Sequence, residues 1–205
     1  MPAVPLQTDA FVLVKRPPSE TFQSFQVFSA EQGALLVMQR LAKKSANASA
    51  ALDLFDEVSL LLESSNEGRT WFVKELRLLH RASGIGRSYD ALRNASAFAA
   101  IVARNPVHED ERPQVATLLR TAFAAFESAA RPDIVFVKSL YCFARDEGYP
   151  LKEQWYPLLT ATDREAVAAL LNRPLAEQTA SPETVQRLQH RLEDYLRNHT
   201  EVLLD

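Results

Sequence analysis

The sequence predicts an α+β chain: a small closed β-structure over residues 1–82, then an all-helical domain over residues 83–205. Three observations carry this. Up to His80 the apolar residues come in short β-rich runs broken by turn residues. After "HRASGIGR" (80–87) the spacing lengthens to the three-to-four-residue period of helices. A length of 205 residues with 47% hydrophobic content fills one large or two small cores.

The first runs are "AFVLVK" (10–15), "TFQSFQVFS" (21–29) and "GALLVMQRL" (33–41), and the later two are "LDLFDEVSLLLE" (52–63) and "TWFVKELRLL" (70–79). In the second run the two-residue period places Phe22, Ser24, Gln26 and Phe28 on one face and Gln23, Phe25, Val27 and Ser29 on the other. Pro17, Pro18 and Ser19 supply turn chemistry after the first run, and Gly33 supplies it before the third. "SSNEGR" (64–69) suits a hairpin loop, while "AKKSANASAA" (42–51) fits a loop or a short helix. Five short strands suit a barrel that removes its own edges; the five-stranded OB-fold is the first expectation and an SH3-like barrel its competitor.

Helices follow in order. Ser88 is a natural N-cap for a helix to Asn105 with a buried stripe of Tyr89, Leu92, Ala95, Phe98, Ala99 and Val102. The next runs from about Glu111 to Ala130 with Val115, Leu118, Leu119, Ala122, Phe123 and Phe126 inward, and tolerates Pro113 in its first turn. A third runs from Pro132 to about Glu147, stopped by Gly148. Thr162 and Asp163 start a short helix that ends before Pro174, and Ser181 with Pro182 starts the last, striped by Val185, Leu188, Leu192, Tyr195 and Leu196.

The formal charge of −3 gives no global attraction to polyanions, so any nucleic-acid contact must be local. Cys142 is the one cysteine, which excludes an intrachain disulfide and a cysteine zinc cluster and makes a reducing cytoplasm the default. Inside "SLYCFA" its thiol is expected to fill a core. The four histidines form no HExxH, "GIG" (84–86) lacks the third glycine of a dinucleotide fingerprint, and no phosphate-cradling GxxxxGK[ST] occurs. "RDEG" and "HEDER" sit at helix ends, where charges serve capping. No cofactor, metal or catalytic group is expected. No stretch has the roughly 18–20 apolar residues of a membrane span, nor does the N-terminus read as an export signal, so neither export nor a membrane partner is expected.

What remains is basic and aromatic. Lys15, Arg16, Arg40, Lys43, Lys44, Arg69 and Trp71 fall on the barrel, where cations track phosphates and an aromatic ring stacks a base. Lys74 and Arg77 add to them, although acids on the same domain offset the charge.

The order of pieces is familiar. "AFVLVKRPPSETFQSFQVFSAEQGALLV", "LDLFDEVSLLLE", "KELRLL", "FVKSLYCFARDEGYP" and "LEDYLRNHTEVLL" resemble the RecO family of bacterial DNA-repair proteins, nearly over the full length. The matching pattern is an apolar strand, Lys15 and Arg16, a turn to Glu20 and Thr21, another strand, and Gly33 before the third. The resemblance implies an OB-fold followed by a helical domain. It also implies a cytoplasmic, nucleoid-associated recombination mediator that binds and anneals single- and double-stranded DNA, contacts single-strand-binding protein and works with RecR to load recombinase. Such a protein is not an enzyme. Many members carry a four-cysteine zinc module after "GYP"; here "GYPLKEQWYPLLTATDREAV" has no cysteine, so zinc is not implied.

The alternative expectation is a protein-interaction adapter of the same fold. The acidic, apolar tail of a single-strand-binding protein needs a cationic rim beside an apolar pocket. Arg120, Arg131, Lys138 and Arg145 on the predicted helices are the candidates for that rim.

Overall fold

The structure, a computed structural model, describes residues 5–41, 51–64, 68–128 and 130–205. It is α+β. Strands β1 (Leu6–Lys15), β2 (Phe22–Ser29), β3 (Gly33–Arg40), β4 (Glu57–Ser64) and β5 (Trp71–His80) precede helices α1 (Tyr89–Arg104), α2 (Arg112–Ser128), α3 (Pro132–Asp146), α4 (Ala161–Asn172) and α5 (Pro182–His199). The chain divides into two compact units, Met1–Ala82 with Pro106–Arg120, and Ser83–Asn105 with Thr121–Asp205.

In the first unit the strands close into a ring in the order β1-β2-β3-β5-β4. All neighbours are antiparallel except β3 and β5, which meet in parallel at Val37 with Trp71 and Met38 with Phe72. Closure leaves each strand two neighbours and so removes the open edges of a small sheet. Inside lie Ala10, Val12, Phe25, Val27, Val37, Leu52, Val58, Leu60 and Leu62, with Trp71, Val73 and Leu76 packed against them. Of the two faces of β2, the one carrying Phe25 and Val27 is therefore inward.

Two strand boundaries differ from expectation. β1 starts at Leu6 because it pairs with β4 from Leu6 to Phe11. β4 starts only at Glu57, because residues 53–56 form a turn: the Asp53 N–H donates to the Asp56 carboxylate at 2.9 Å, and Phe55 adopts φ +67°. Asp56, itself buried, holds the Arg81 guanidinium at 2.7 and 2.9 Å and so ties this turn to the end of β5.

Gly33 closes the β2–β3 turn at φ +70°, which favours a residue without a Cβ. A Cβ there would also lie 2.9 Å from Arg112 Nε. The missing side chain lets Arg112 lie over the turn and donate to the Glu31 carbonyl at 3.1 Å. Arg120 is held in the same unit by the Glu57 carboxylate and lies over the Phe11 ring at 5.3 Å.

In the second unit α3 packs against α1, α4 and α5. Ser88, Thr160 and Ser181 cap α1, α4 and α5, each accepting from a backbone N–H three residues on. Thr160, not Thr162, thus starts the fourth helix. The α5 stripe is buried as expected: Val185, Leu188, Leu192, Tyr195 and Leu196.

The α1 stripe needs correction, because Tyr89 and Leu92 are exposed. The buried side is instead Ala91, Asn94, Ala95, Phe98, Ala99, Ile101 and Val102. Asn94 can be buried because its amide donates to the Asp90 carbonyl at 2.8 Å, and the alanines leave room for close packing.

Candidate functional site

The β1–β2 connection is a built turn. The Arg16 N–H donates to the Ser24 carbonyl at 3.1 Å, the Gln23 amide donates to the Arg16 carbonyl, and the Ser19 hydroxyl accepts from the Phe22 N–H at 3.0 Å. Beyond β3, the Leu41 N–H donates to the Thr21 carbonyl at 2.8 Å, which carries the β2–β3 pairing past Arg40. Arg16 and Arg40 are thus exposed cations on fixed backbone, at the same end of the β2–β3 hairpin. No described carboxylate forms an ion pair with either.

Alternation decides what lies beside them. Since Val37 and Phe25 point inward, Ser24, Gln26, Leu36, Met38 and Arg40 share the outward face of β2 and β3. Phe72, opposite Met38, joins them, and its ring meets that of Phe22 edge-on at 5.5 Å. Phe22 and Phe72 are both half-buried. The result is an outward face across β2, β3 and β5 with an aromatic pair next to Arg40.

The other predicted nucleic-acid residues fare differently. Lys15 is engaged by Asp53 at 3.0 Å; burial works to raise the Asp53 pKa, but the Lys15 ammonium and the Leu54 N–H hold it below the usual carboxylate range. Arg69 is exposed, in the connection leading to β5. Trp71 packs onto the inner core with its indole nitrogen buried, so its neighbour Phe72, not Trp71, is the outward aromatic. Lys43 and Lys44 lie outside the described residues, as does part of the "SSNEGR" loop.

The four predicted partner-binding cations are separated by their contacts. Arg120 is committed to Glu57 in the first unit. Arg131 is bound by Asp133 at 2.7 and 2.9 Å and donates to the Ala180 carbonyl at 2.7 Å. Lys138 and Arg145 do come together, two turns apart on α3, lining a recess of about 620 Å³ with Lys152. Its apolar lining includes Leu151, Leu171 and Tyr156. The Lys138 ammonium donates to the Arg173 carbonyl at 3.1 Å, and Arg145 pairs with Asp146 at 2.7 Å.

Cys142, expected in the core, is half-buried and also lines this recess. Burial pushes its thiol pKa up against the pull of Arg145 and Lys138, which keeps it protonated and a poor nucleophile at neutral pH. Lys152 was missed in the sequence; it lies in a single π turn, Leu151–Trp155, that no periodic pattern announces.

Among the described residues no three His, Cys, Asp or Glu side chains converge to hold a metal ion, and no helix is long and apolar enough to cross a membrane. No protein-family model matches the chain, and no curated protein matches it either.

Proposed function

We propose that the chain is a RecO-like recombination mediator whose first unit is an OB-fold that binds single-stranded DNA. The ring order β1-β2-β3-β5-β4 supports the fold reading, since the OB-fold is a five-stranded Greek-key barrel. The observation that carries the function is the placement of Arg16, Arg40 and the Phe22–Phe72 pair. Phe22 and Arg40 lie on the strand 2–3 face, with Phe72 of β5 beside them, and Arg16 lies in the first connection; the strand 2–3 face and the first connection are surfaces with which OB-folds hold oligonucleotides. Annealing of single to double strands, cooperation with RecR and single-strand-binding protein, and a nucleoid-associated cytoplasmic location belong to the same proposal, which has no catalytic step.

The test is fluorescence anisotropy of a labelled single-stranded oligonucleotide across a salt series. Arg16→Gln with Arg40→Gln is expected to weaken binding about tenfold at low salt. It should also flatten the log–log salt slope by about 1.4, because each neutralised phosphate on a single strand contributes about 0.7. An unchanged slope would remove both arginines from the interface. Wild-type protein that fails to bind at low salt would end the proposal.

The α3–α4 recess supports a second reading, an adapter that docks the acidic, apolar tail of a single-strand-binding protein. Lys138, Arg145 and Lys152 make a cationic rim around Leu151, Leu171 and Tyr156, which suits a peptide with carboxylates beside a large apolar side chain. A labelled tail peptide is expected to bind wild type and to lose about tenfold in affinity with Lys152→Glu, an exposed position whose replacement leaves the packing intact. Equal binding of a peptide whose acids are replaced by amides would count against this mode.

A further inference from the structure

On α1 the residue expected in the core stands in solvent. Tyr89 is 76% exposed, more than any other large apolar or aromatic side chain among the described residues. The Arg93 guanidinium, itself exposed, lies 6.0 Å from its ring centroid. Arg93 reaches Asp90 only at 3.4 Å, too long for a strong charge-assisted bond. Arg87 is exposed two residues before the ring.

Arg93 also lines a recess of about 450 Å³ formed by α1, α3 and the start of α5. Asn94, Gln186, Gln189 and His190 bring polar groups to it, and the buried Phe136 adds an aromatic wall. The Asn94 amide donates to the Asp90 carbonyl at 2.8 Å and the Gln189 amide to Glu193 at 2.7 Å, which leaves their carbonyl oxygens as acceptors, while Gln186 brings an amide with both donor and acceptor groups, a mixture that suits the edge of an unstacked base. The acid in the lining, Asp133, is neutralised by Arg131 at 2.7 Å.

We propose that this face of the helical unit is a second contact for single-stranded nucleic acid. One base stacks on Tyr89, Arg93 and Arg87 meet phosphates, and an adjacent unstacked base enters the amide-lined recess. The proposal rests on the DNA-binding reading above and adds to it a site in the unit that has no sheet. An open tyrosine ring beside a cation is the stacking platform that sequence-tolerant single-strand binders use.

The experiment uses the full chain and a labelled oligodeoxythymidine. Tyr89→Ala is expected to weaken binding roughly tenfold, in line with the loss of one stacked base, while Tyr89→Phe retains it. Because the ring is exposed, neither change disturbs packing. A 5-iodouracil oligonucleotide should photo-crosslink to the peptide that contains Tyr89. Wild-type affinity in Tyr89→Ala, with crosslinks confined to residues 1–82, overturns this site and leaves the OB-fold interface standing if Arg16→Gln/Arg40→Gln still weakens binding. No binding by wild type overturns both.

Discussion

Phe25→Ala is expected to destabilise the first unit by about 3–5 kcal/mol, the cost of removing a large aromatic ring from a packed core. Phe25 is 1% exposed and lies opposite Lys15 on one side and Val37 on the other. Its ring therefore sits in the inner cluster between β1 and β3, where a closed ring of strands has little freedom to collapse onto a cavity. The two tryptophans give separate reports, since Trp71 packs on this core and Trp155 is buried in the second unit. In a Trp155→Phe background, the Trp71 fluorescence midpoint in urea should fall by about 2 M when Phe25 is replaced, given slopes of roughly 1–3 kcal/mol per molar. A midpoint within a few tenths molar of the parent would mean that the ring is not what fills the sheet. The effect would then have to be sought in Leu60 or Val58, on the facing strand.

The strands were readable because each carries β-rich residues between turn residues, and Gly33 marks the β2–β3 turn, where a positive φ is needed. Pairing order was not readable. Nothing local in "TWFVKELRLL" says that its first residues meet β3 in parallel. That single pairing decides that Trp71 faces in and Phe72 faces out, a distinction between two neighbours that composition does not carry. A one-residue shift in a two-residue period exchanges the faces completely.

The α1 stripe failed for a related reason. Tyr89 and Leu92 are more hydrophobic than Ala91 and Asn94, yet close packing selects small residues, and an amide can be buried once its own helix accepts its hydrogen bond. The cationic recess on α3 was half legible. Lys138 and Arg145 share one side of a helix at seven-residue spacing, but Leu151 and Lys152 come from the π turn and Leu171 from α4, brought there by tertiary packing.

The second large effect concerns a carboxylate that joins two helices. Asp163 is buried at the start of α4, where its N–H donates to the capping Thr160 hydroxyl at 3.2 Å. From α5, Arg187 reaches one carboxylate oxygen at 3.0 Å and Arg191 reaches the other at 3.4 Å. Burial works to raise the Asp163 pKa, but the hydrogen bonds from Arg187 and Thr160 and the field of both arginines bring it below its ordinary value of 3.8. A lowered folded-state value means that the stabilisation is fully present above pH 3.8 and is lost as pH falls through the folded value beneath it. Arg187→Leu with Arg191→Leu keeps the carboxylate buried and removes both cations, which is expected to cost about 3–5 kcal/mol at pH 7. The sign of the pH dependence then reverses at this site. With Thr160 alone left against burial, the larger influence, the folded-state pKa rises above the unfolded one, so the variant regains stability as acid protonates Asp163, while the parent gains nothing there. Urea denaturation followed by Trp155 fluorescence in a Trp71→Phe background should show a wide gap between variant and parent at pH 7 that narrows by pH 4. A gap of equal width at both pH values would mean that the lost arginines act through their packed methylenes and not through the buried charge.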